Sequence, residues 1–353
     1  MVTIGDVART AGVSRSTASY ALSGKRSVSP EVRRQVAEAV RQLGYTPNAG
    51  ARALATSQTM VIGLLARFLE DEFAPAMLQY ITGVSDTARE LGYDILLVTE
   101  ADGARALRRI TDSRMVDGVV LLNVAHDDVR LPVLRAAPQP GALVGLPGDC
   151  SGLDVFDLDF EEAGRLMVEH MHRLGHHELV LVSQPEHVAR RGGAYVWRLR
   201  DAAIEQARVR GIRLHAVFGE SRQPEVGAIL HDLLDAHPGA TGILLNNEAA
   251  AAALPSVLHA RGLTVPDDLS VVGRYSDEFA RTFSLPYSSI ESAPDRLGNM
   301  AVRQLVRRIG SAERRNEPYV VRFLSPEFTD RSSTGAPRGP APVGRARRSA
   351  GLP

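Results

Sequence analysis

The stretch TIGDVARTAGVSRSTASYALSG, residues 3–24, decides the reading of this chain. Thr3 has Asp6 three residues on, the spacing at which each side chain can cap the other's backbone. Ile4, Val7, Ala8 and Ala11 then recur at the period of a helix face. Gly12 supplies the turn, because glycine adopts a left-handed backbone at no steric cost. Ser14 caps a second helix expected to run to about Leu22. Further out, Ser29 caps a third helix and Pro30 suits its first position. Its apolar stripe is Val32, Val36, Ala39, Val40 and Leu43, and Gly44 ends it. Two helices joined by a tight glycine turn and followed by a third make a helix-turn-helix.

In that motif the second helix enters the major groove of DNA and turns its N-terminal side chains to base edges. Here those are Arg15, Ser16 and Tyr20, with Thr17 and Ser19 available for phosphates. Arginine meets guanine bidentately, so Arg15 is the first candidate for specificity. Thr3, Ser14, Arg26 and Arg52 complete the DNA-facing candidates outside the positions discussed below. Charge agrees with this reading. Residues 1–56 carry eight basic and three acidic groups, whereas residues 57–330 carry 28 basic and 38 acidic. A basic head suits a polyanion that an acidic body would repel. Residues 331–353 add five arginines and no acid, lack an apolar period, and are expected to be a disordered basic tail.

From Val61 the pattern changes. Strands are expected at 61–66, 94–98, 117–122, 142–145, 179–183, 213–217, 242–245 and 270–273. Amphipathic helices are expected at 75–91, 160–174, 194–210, 224–236, 248–261 and 293–309. Strand–helix alternation argues for doubly wound parallel sheets. So many units exceed one small sheet, and two lobes with a cleft between them accommodate them. The expected fold class is therefore α/β, with an all-α head at 1–46, a hinge helix and linker at 47–60, and a two-lobed core at 61–330.

The string 3–24, together with VSPEVRRQVAEAVRQLGYTPNAGARAL at 28–54, closely resembles the head of the lac-repressor-like (LacI/GalR) family, without a gap. The rest of the chain to about 330 resembles that family's periplasmic-binding-protein-like core. The matching stretches include Val61-Ile-Gly-Leu-Leu, Leu91-Gly-Tyr93, Val116-Asp-Gly-Val-Val120, Leu174-Gly-His176 and Leu269-Ser-Val-Val-Gly273. The resemblance implies a sequence-specific transcription regulator, by the family's usual mode a repressor. It implies that Arg15, Ser16 and Tyr20 read bases, that Tyr45 and Asn48 contact the backbone, and that Leu54 wedges into the minor groove. An apolar wedge of that kind kinks DNA and brings more surface into contact. The hinge departs at Gly50, which costs a helix about 1 kcal/mol relative to alanine, so a hinge mostly unfolded off DNA is expected.

The resemblance further implies a small-molecule effector in the cleft, of the sugar or a related metabolite class, that changes the lobe arrangement and with it DNA affinity. The family's cleft positions are only partly kept. Asn246-Asn247-Glu248 stands where an Asn-Asp pair is common, and Asp159-Phe160 where Asp-Asn is frequent. In Gly273-Arg274-Tyr275-Ser276, Tyr275 replaces a sugar-binding carboxylate. That loss weakens the case for a neutral sugar, while Phe73, Phe160, Tyr195, Trp197 and Tyr275 offer rings to stack on. With Arg191 and Asn246 they form the effector-site candidates.

Other classes find little support. His170, His172, His176 and His177 are dense, but helical spacing puts the first two on different faces, so no metal is expected. Phosphate-binding glycine motifs and a nucleophile elbow are absent, so neither a cofactor nor catalysis is expected. A solute-binding transport component would leave the basic head unused. The start lacks a secretory signal, no apolar run is long enough to span a bilayer, and Cys150 is alone, which together suit the cytoplasm. A near-palindromic operator read by two heads implies a homodimer. The tail lacks the heptad leucines of a tetramerising coiled coil.

Overall fold

The structure, a computed structural model, describes residues 2–23, 26–45, 58–67, 74–315 and 317–337. The chain divides after Met60 into two compact units.

The first unit contains α1 (Ile4–Thr10), α2 (Arg15–Ser23) and α3 (Pro30–Leu43). Each helix begins on a side-chain cap. Thr3 and Asp6 form a reciprocal capping box, the Ser14 hydroxyl accepts from the Thr17 amide at 3.0 Å, and the Ser29 hydroxyl accepts from Val32 at 3.3 Å. Gly12, with φ +67°, makes the turn between α1 and α2. Val7, Ala8, Ala18, Val36 and Ala39 are buried together, flanked by Ile4, Val32, Val40, Leu43 and Tyr45. The helical stripes read from the sequence thus meet in one small core.

The second unit is built on two six-stranded sheets. The first comprises β1 (Val61–Leu65), β2 (Asp94–Val98), β3 (Gly118–Leu121), β4 (Gly141–Val144), β5 (Asp154–Leu158) and, late in the chain, β11 (Val321–Leu324). Its order is β11-β5-β4-β3-β1-β2, all parallel. The second comprises β6 (Glu178–Ser183), β7 (Arg213–Phe218), β8 (Gly242–Leu245), β9 (Ser270–Arg274), β10 (Ser288–Ile290) and β12 (Phe328–Thr329). Its order is β12-β10-β9-β8-β6-β7, parallel except for β12. The fold is the expected mixture of doubly wound parallel sheets.

Helices cover the sheets. Those of the first lobe are α4 (Ala74–Glu90), α5 (Gly103–Asp112) and α6 (Leu131–Ala136). Those that follow are α7 (Phe160–Arg173), α8 (Glu186–Arg190), α9 (Ala194–Arg210), α10 (Glu225–Ala236), α11 (Glu248–Arg261) and α12 (Asp277–Thr282). The chain then returns to the first lobe through α13 (Pro294–Ile309) and α14 (Ala312–Arg315). The backbone crosses between the lobes three times: between β5 and α7, between β10 and α13, and between β11 and β12. The pairing of α7 with α9 is close because Gly164 has no Cβ; one there would sit 2.4 Å from the Leu199 carbonyl oxygen.

Four strands escape the sequence reading: β5, β10, β11 and β12. The first, DVFDL, carries two carboxylates on a fully buried strand. It is stable there because Arg308 of α13 donates to both oxygens of Asp154. The same guanidinium donates to the carbonyls of Arg314, Glu317 and Pro318 at 3.1 Å each, tying down the approach to β11. A further correction concerns the tail. Disorder was expected from 331, but residues 331–337 are part of the second lobe. Ser333 is buried, donates to the Val271 carbonyl at 2.6 Å and accepts from the Ser288 amide at 2.6 Å. Arg331 ion-pairs with Asp277. Polar side chains hold this segment through backbone groups, so an apolar period could not reveal it. Most of the hinge expected at 47–60, and residues 338–353, lie outside the described residues.

Candidate functional site: a DNA-reading head and a cleft

Arg15 and Ser16 are exposed at the start of α2, whereas Ala18 on the opposite side is buried in the head core. The helix is thereby clamped from behind with its first turn open to solvent. Thr17, Ser19 and Tyr20 are half-buried on the same helix. Arg26 lies over the Tyr20 ring at 5.4 Å, so the two candidates form one cation–π unit. Thr3 and Ser14 are exposed, but their hydroxyls serve as caps: Thr3 donates to Asp6 at 2.8 Å and Ser14 bonds Thr17 at 2.8 Å. Tyr45 packs partly against the head core. The candidates Asn48, Arg52 and Leu54, and with them Gly50, fall outside the described residues.

In the second unit a cavity of about 330 Å3 opens between the lobes, beyond the carboxyl ends of strands from both sheets. Binding sites of open α/β sheets sit at such strand ends. Of the sequence candidates, Phe160, Arg191 and Tyr195 line it. The Phe160 and Tyr195 rings are 5.3 Å apart, and the guanidinium groups of Arg198 and Arg274 each lie 5.7 Å from the Phe160 ring.

Three candidates do not line it. Tyr275 is 1% exposed; its hydroxyl donates to the Tyr287 carbonyl at 2.9 Å, and its ring packs on Phe279 within the second lobe's core. Successive side chains at a strand end point to opposite faces, so Arg274 reaches the cavity and its neighbour cannot. Asn246 is buried behind Arg274, accepting from its Nε at 2.6 Å. Trp197 stands edge-on to Phe218 with ring centroids 5.4 Å apart, outside the cavity wall. Phe73 lies outside the described residues.

The sequence reading missed Arg67, Tyr80, Asn123, Asp128, Asp157, Glu248 and Arg274, all of which line the cavity. Most of its carboxylates are already engaged. Asp128 takes two bonds from Arg130, at 2.9 and 2.6 Å. Burial would raise its pKa, but Arg130 and two backbone amides outweigh that and lower it. Glu248 receives Arg274 at 2.6 Å, both groups being almost fully buried. Asp157 receives Arg198 at 2.6 Å, and Arg198 also holds Glu161. Burial nevertheless pushes Asp157 up to about 6, with Arg198 opposing. Burial also raises the Tyr80 hydroxyl, keeping it a neutral donor.

Among the described residues the histidines near α7 belong to no metal ligand set. His176 bonds Thr241 at 2.7 Å and the Gly335 carbonyl at 3.0 Å, and His170 bonds Thr334 at 2.8 Å. Their role is to hold the 333–335 segment. Among the described residues one group, Glu178, His215 and His237, has ligand-type atoms within 4.8 Å of one another. Arg213 holds one Glu178 oxygen at 2.6 Å, and the two imidazoles stack at 3.8 Å. Among the described residues no helix is long and apolar enough to cross a membrane.

Comparison with known proteins draws head and core together. Residues 3–48 match the model for bacterial regulatory proteins of the lacI family, and residues 168–334 match a periplasmic binding protein-like domain. The chain is 27% identical over 345 residues to the HTH-type transcriptional repressor PurR of Glaesserella parasuis serovar 5, covering 94% of this chain and 98% of that one. It is 29% identical over 317 residues to the HTH-type transcriptional regulator CelR of Thermobifida fusca, covering 86% and 90% respectively. Among solved structures, a transcriptional regulator CelR–cellobiose complex is similar with TM-score 0.65 and 26% identity, covering 94% of this chain and all of that one. The lac repressor dimer bound to operator and the anti-inducer ONPF shares the fold, with TM-score 0.77 at 23% identity, covering 95% and 99%.

Proposed function

The chain belongs to the lacI family of bacterial regulatory proteins, a DNA-binding transcription regulator with an effector-binding core, and from that premise we propose that it is a repressor controlled by a small molecule in the cleft. The observation that carries the reading is the head: Arg15 and Ser16 stand open to solvent on a helix locked from behind by Ala18. Such a helix can enter a major groove without unfolding anything else. Tyr20, Arg26 and Tyr45 would steady it, with Asn48, Arg52 and Leu54 acting from the hinge.

One head reads one half-site, so a near-palindromic operator calls for two copies related by a two-fold axis. We read the working form as a homodimer acting in the cytoplasm. We read the cleft as a binding site, for Asp128, Asp157 and Glu248 on its wall are each committed to an arginine. Similarity to the CelR–cellobiose complex supports a small polar effector there. Coupling between the two sites is expected at ~1–3 kcal/mol.

The test is anisotropy on DNA from upstream of the protein's own gene, across a salt series. Tight binding to one near-palindrome, with a steep negative salt slope, is expected. Equal affinity for scrambled DNA of the same length would overturn the reading.

A further inference from the structure

Among the described residues, the buried polar atom left without a partner on the wall of this cleft is a donor. Among the described residues the Arg67 guanidinium, at the cavity wall, has no carboxylate or carbonyl partner, and its Nε is buried without any hydrogen bond. Buried donors in folded proteins are satisfied as a rule, and an orphan points to a missing acceptor. The acceptors at hand are taken: Asp128 by Arg130, Asp157 by Arg198, Glu248 by Arg274. Asp127 lines the rim but is exposed, where water screens it. The Phe160–Tyr195 ring pair lines the same cavity as Arg67.

We infer that the cleft takes a small ring-bearing anion, its carboxylate or phosphate received by Arg67 and its ring packed against Phe160 and Tyr195. This deepens, and rests on, the effector-site reading above. Arginine suits the role because its planar fork meets a carboxylate or phosphate with two parallel bonds. The volume, about 330 Å3, is at the small end for ligand pockets and fits a single-ring compound. A neutral sugar would bring hydroxyl donors to a cleft short of free acceptors, and would leave Arg67 uncompensated.

The experiment uses the full-length protein and four probes at constant ionic strength: inorganic phosphate, glucuronate, glucose and cellobiose. Binding is read from the shift in Tm and from fluorescence of Trp197, the only tryptophan. Phosphate or glucuronate should give a saturable response, with glucuronate at least tenfold tighter than glucose. Arg67→Gln should abolish that preference, and Arg67→Lys should keep part of it. The basic head also attracts anions, but Arg67→Gln leaves the head intact, so only a response lost in that variant counts. A phosphate response stronger than glucuronate's identifies a phosphorylated ligand, and the reverse a carboxylate. Glucose or cellobiose binding as tightly as glucuronate, or an anion response unchanged in Arg67→Gln, would overturn the inference. Operator affinity without probe is measured alongside. If it is intact while the anions fail, only this inference falls; if it is absent in the unsubstituted protein, the regulator reading falls by itself.

Discussion

The head and the cleft, the two recognition sites of the proposed function, are assembled in opposite ways. The head's exposed readers and the residues that hold them lie within one short helix and its cap, from Ser14 to Tyr20. The cleft draws Arg67, Asp157, Tyr195 and Arg274 from widely separated strands and helices of two lobes. Its charges are held by partners equally far off, such as Arg198 for Asp157 and Glu248 for Arg274. Local assembly needs only caps and a small core; distant assembly needs a rigid frame with buried ion pairs. The two regions should therefore fail under different substitutions and by different amounts.

The largest effect is expected in the frame. Asp154 is fully buried and neutralises Arg308, so Asp154→Ala leaves an uncompensated buried cation. Such losses cost about 3–5 kcal/mol. Denaturant unfolding of the second unit should show that drop; a change below about 1 kcal/mol would mean that the frame does not depend on the pair. Next comes the head's chemistry. Arg15→Ala should weaken operator binding by about 5- to 150-fold, the ~1–3 kcal/mol of a good base contact, with no change in Tm, because the side chain is exposed. Equal weakening on every DNA sequence would reassign Arg15 from bases to phosphates. Smaller again is the loss of a head cap. Ser29→Ala removes the bond to the Val32 amide and should cost about 1 kcal/mol, read as earlier melting of the head's helices by circular dichroism.

The same contrast explains what could be read in advance. The head's caps at Thr3, Ser14 and Ser29 and its stripes from Ile4 to Leu43 are local patterns, and they are present as expected. So are the strands with continuous apolar runs, such as Val180 to Val182 and Ile243 to Leu245. Strand β5 was hidden because Asp154 and Asp157 look exposed until Arg308 and Arg198 arrive from remote helices. In the cleft, a one-residue ambiguity decided the outcome. The string Gly273-Arg274-Tyr275 contains the cavity residue, but which of two neighbours faces the ligand depends on the strand's pleat, and that is fixed by the surrounding sheet. Trp197 and Asn246 lie close to the site in sequence and outside its wall for the same geometric reason.

The last expected effect is a slope with pH rather than a single loss, and it separates the two regions most directly, because it concerns a charge kept under desolvation. In the head the half-buried Asp6 and the exposed Glu38 are lowered, first by bonds from Thr3 and Arg41 respectively. In the cleft Asp157 goes the other way, raised by burial from an ordinary 3.8 to about 6. A carboxyl raised on folding binds its proton more tightly in the native state, so its contribution to stability is best below pH 3.8 and declines as pH rises towards 6. Asp157→Asn removes that titration, and Arg198 still has Glu161 as a partner. The difference in unfolding free energy between the unsubstituted protein and Asp157→Asn should therefore move in favour of the variant as pH goes from about 4 to about 6, and then level off. A difference that moves the opposite way would mean that Arg198 outweighs burial, and that Asp157 is as settled a carboxylate as those on the head.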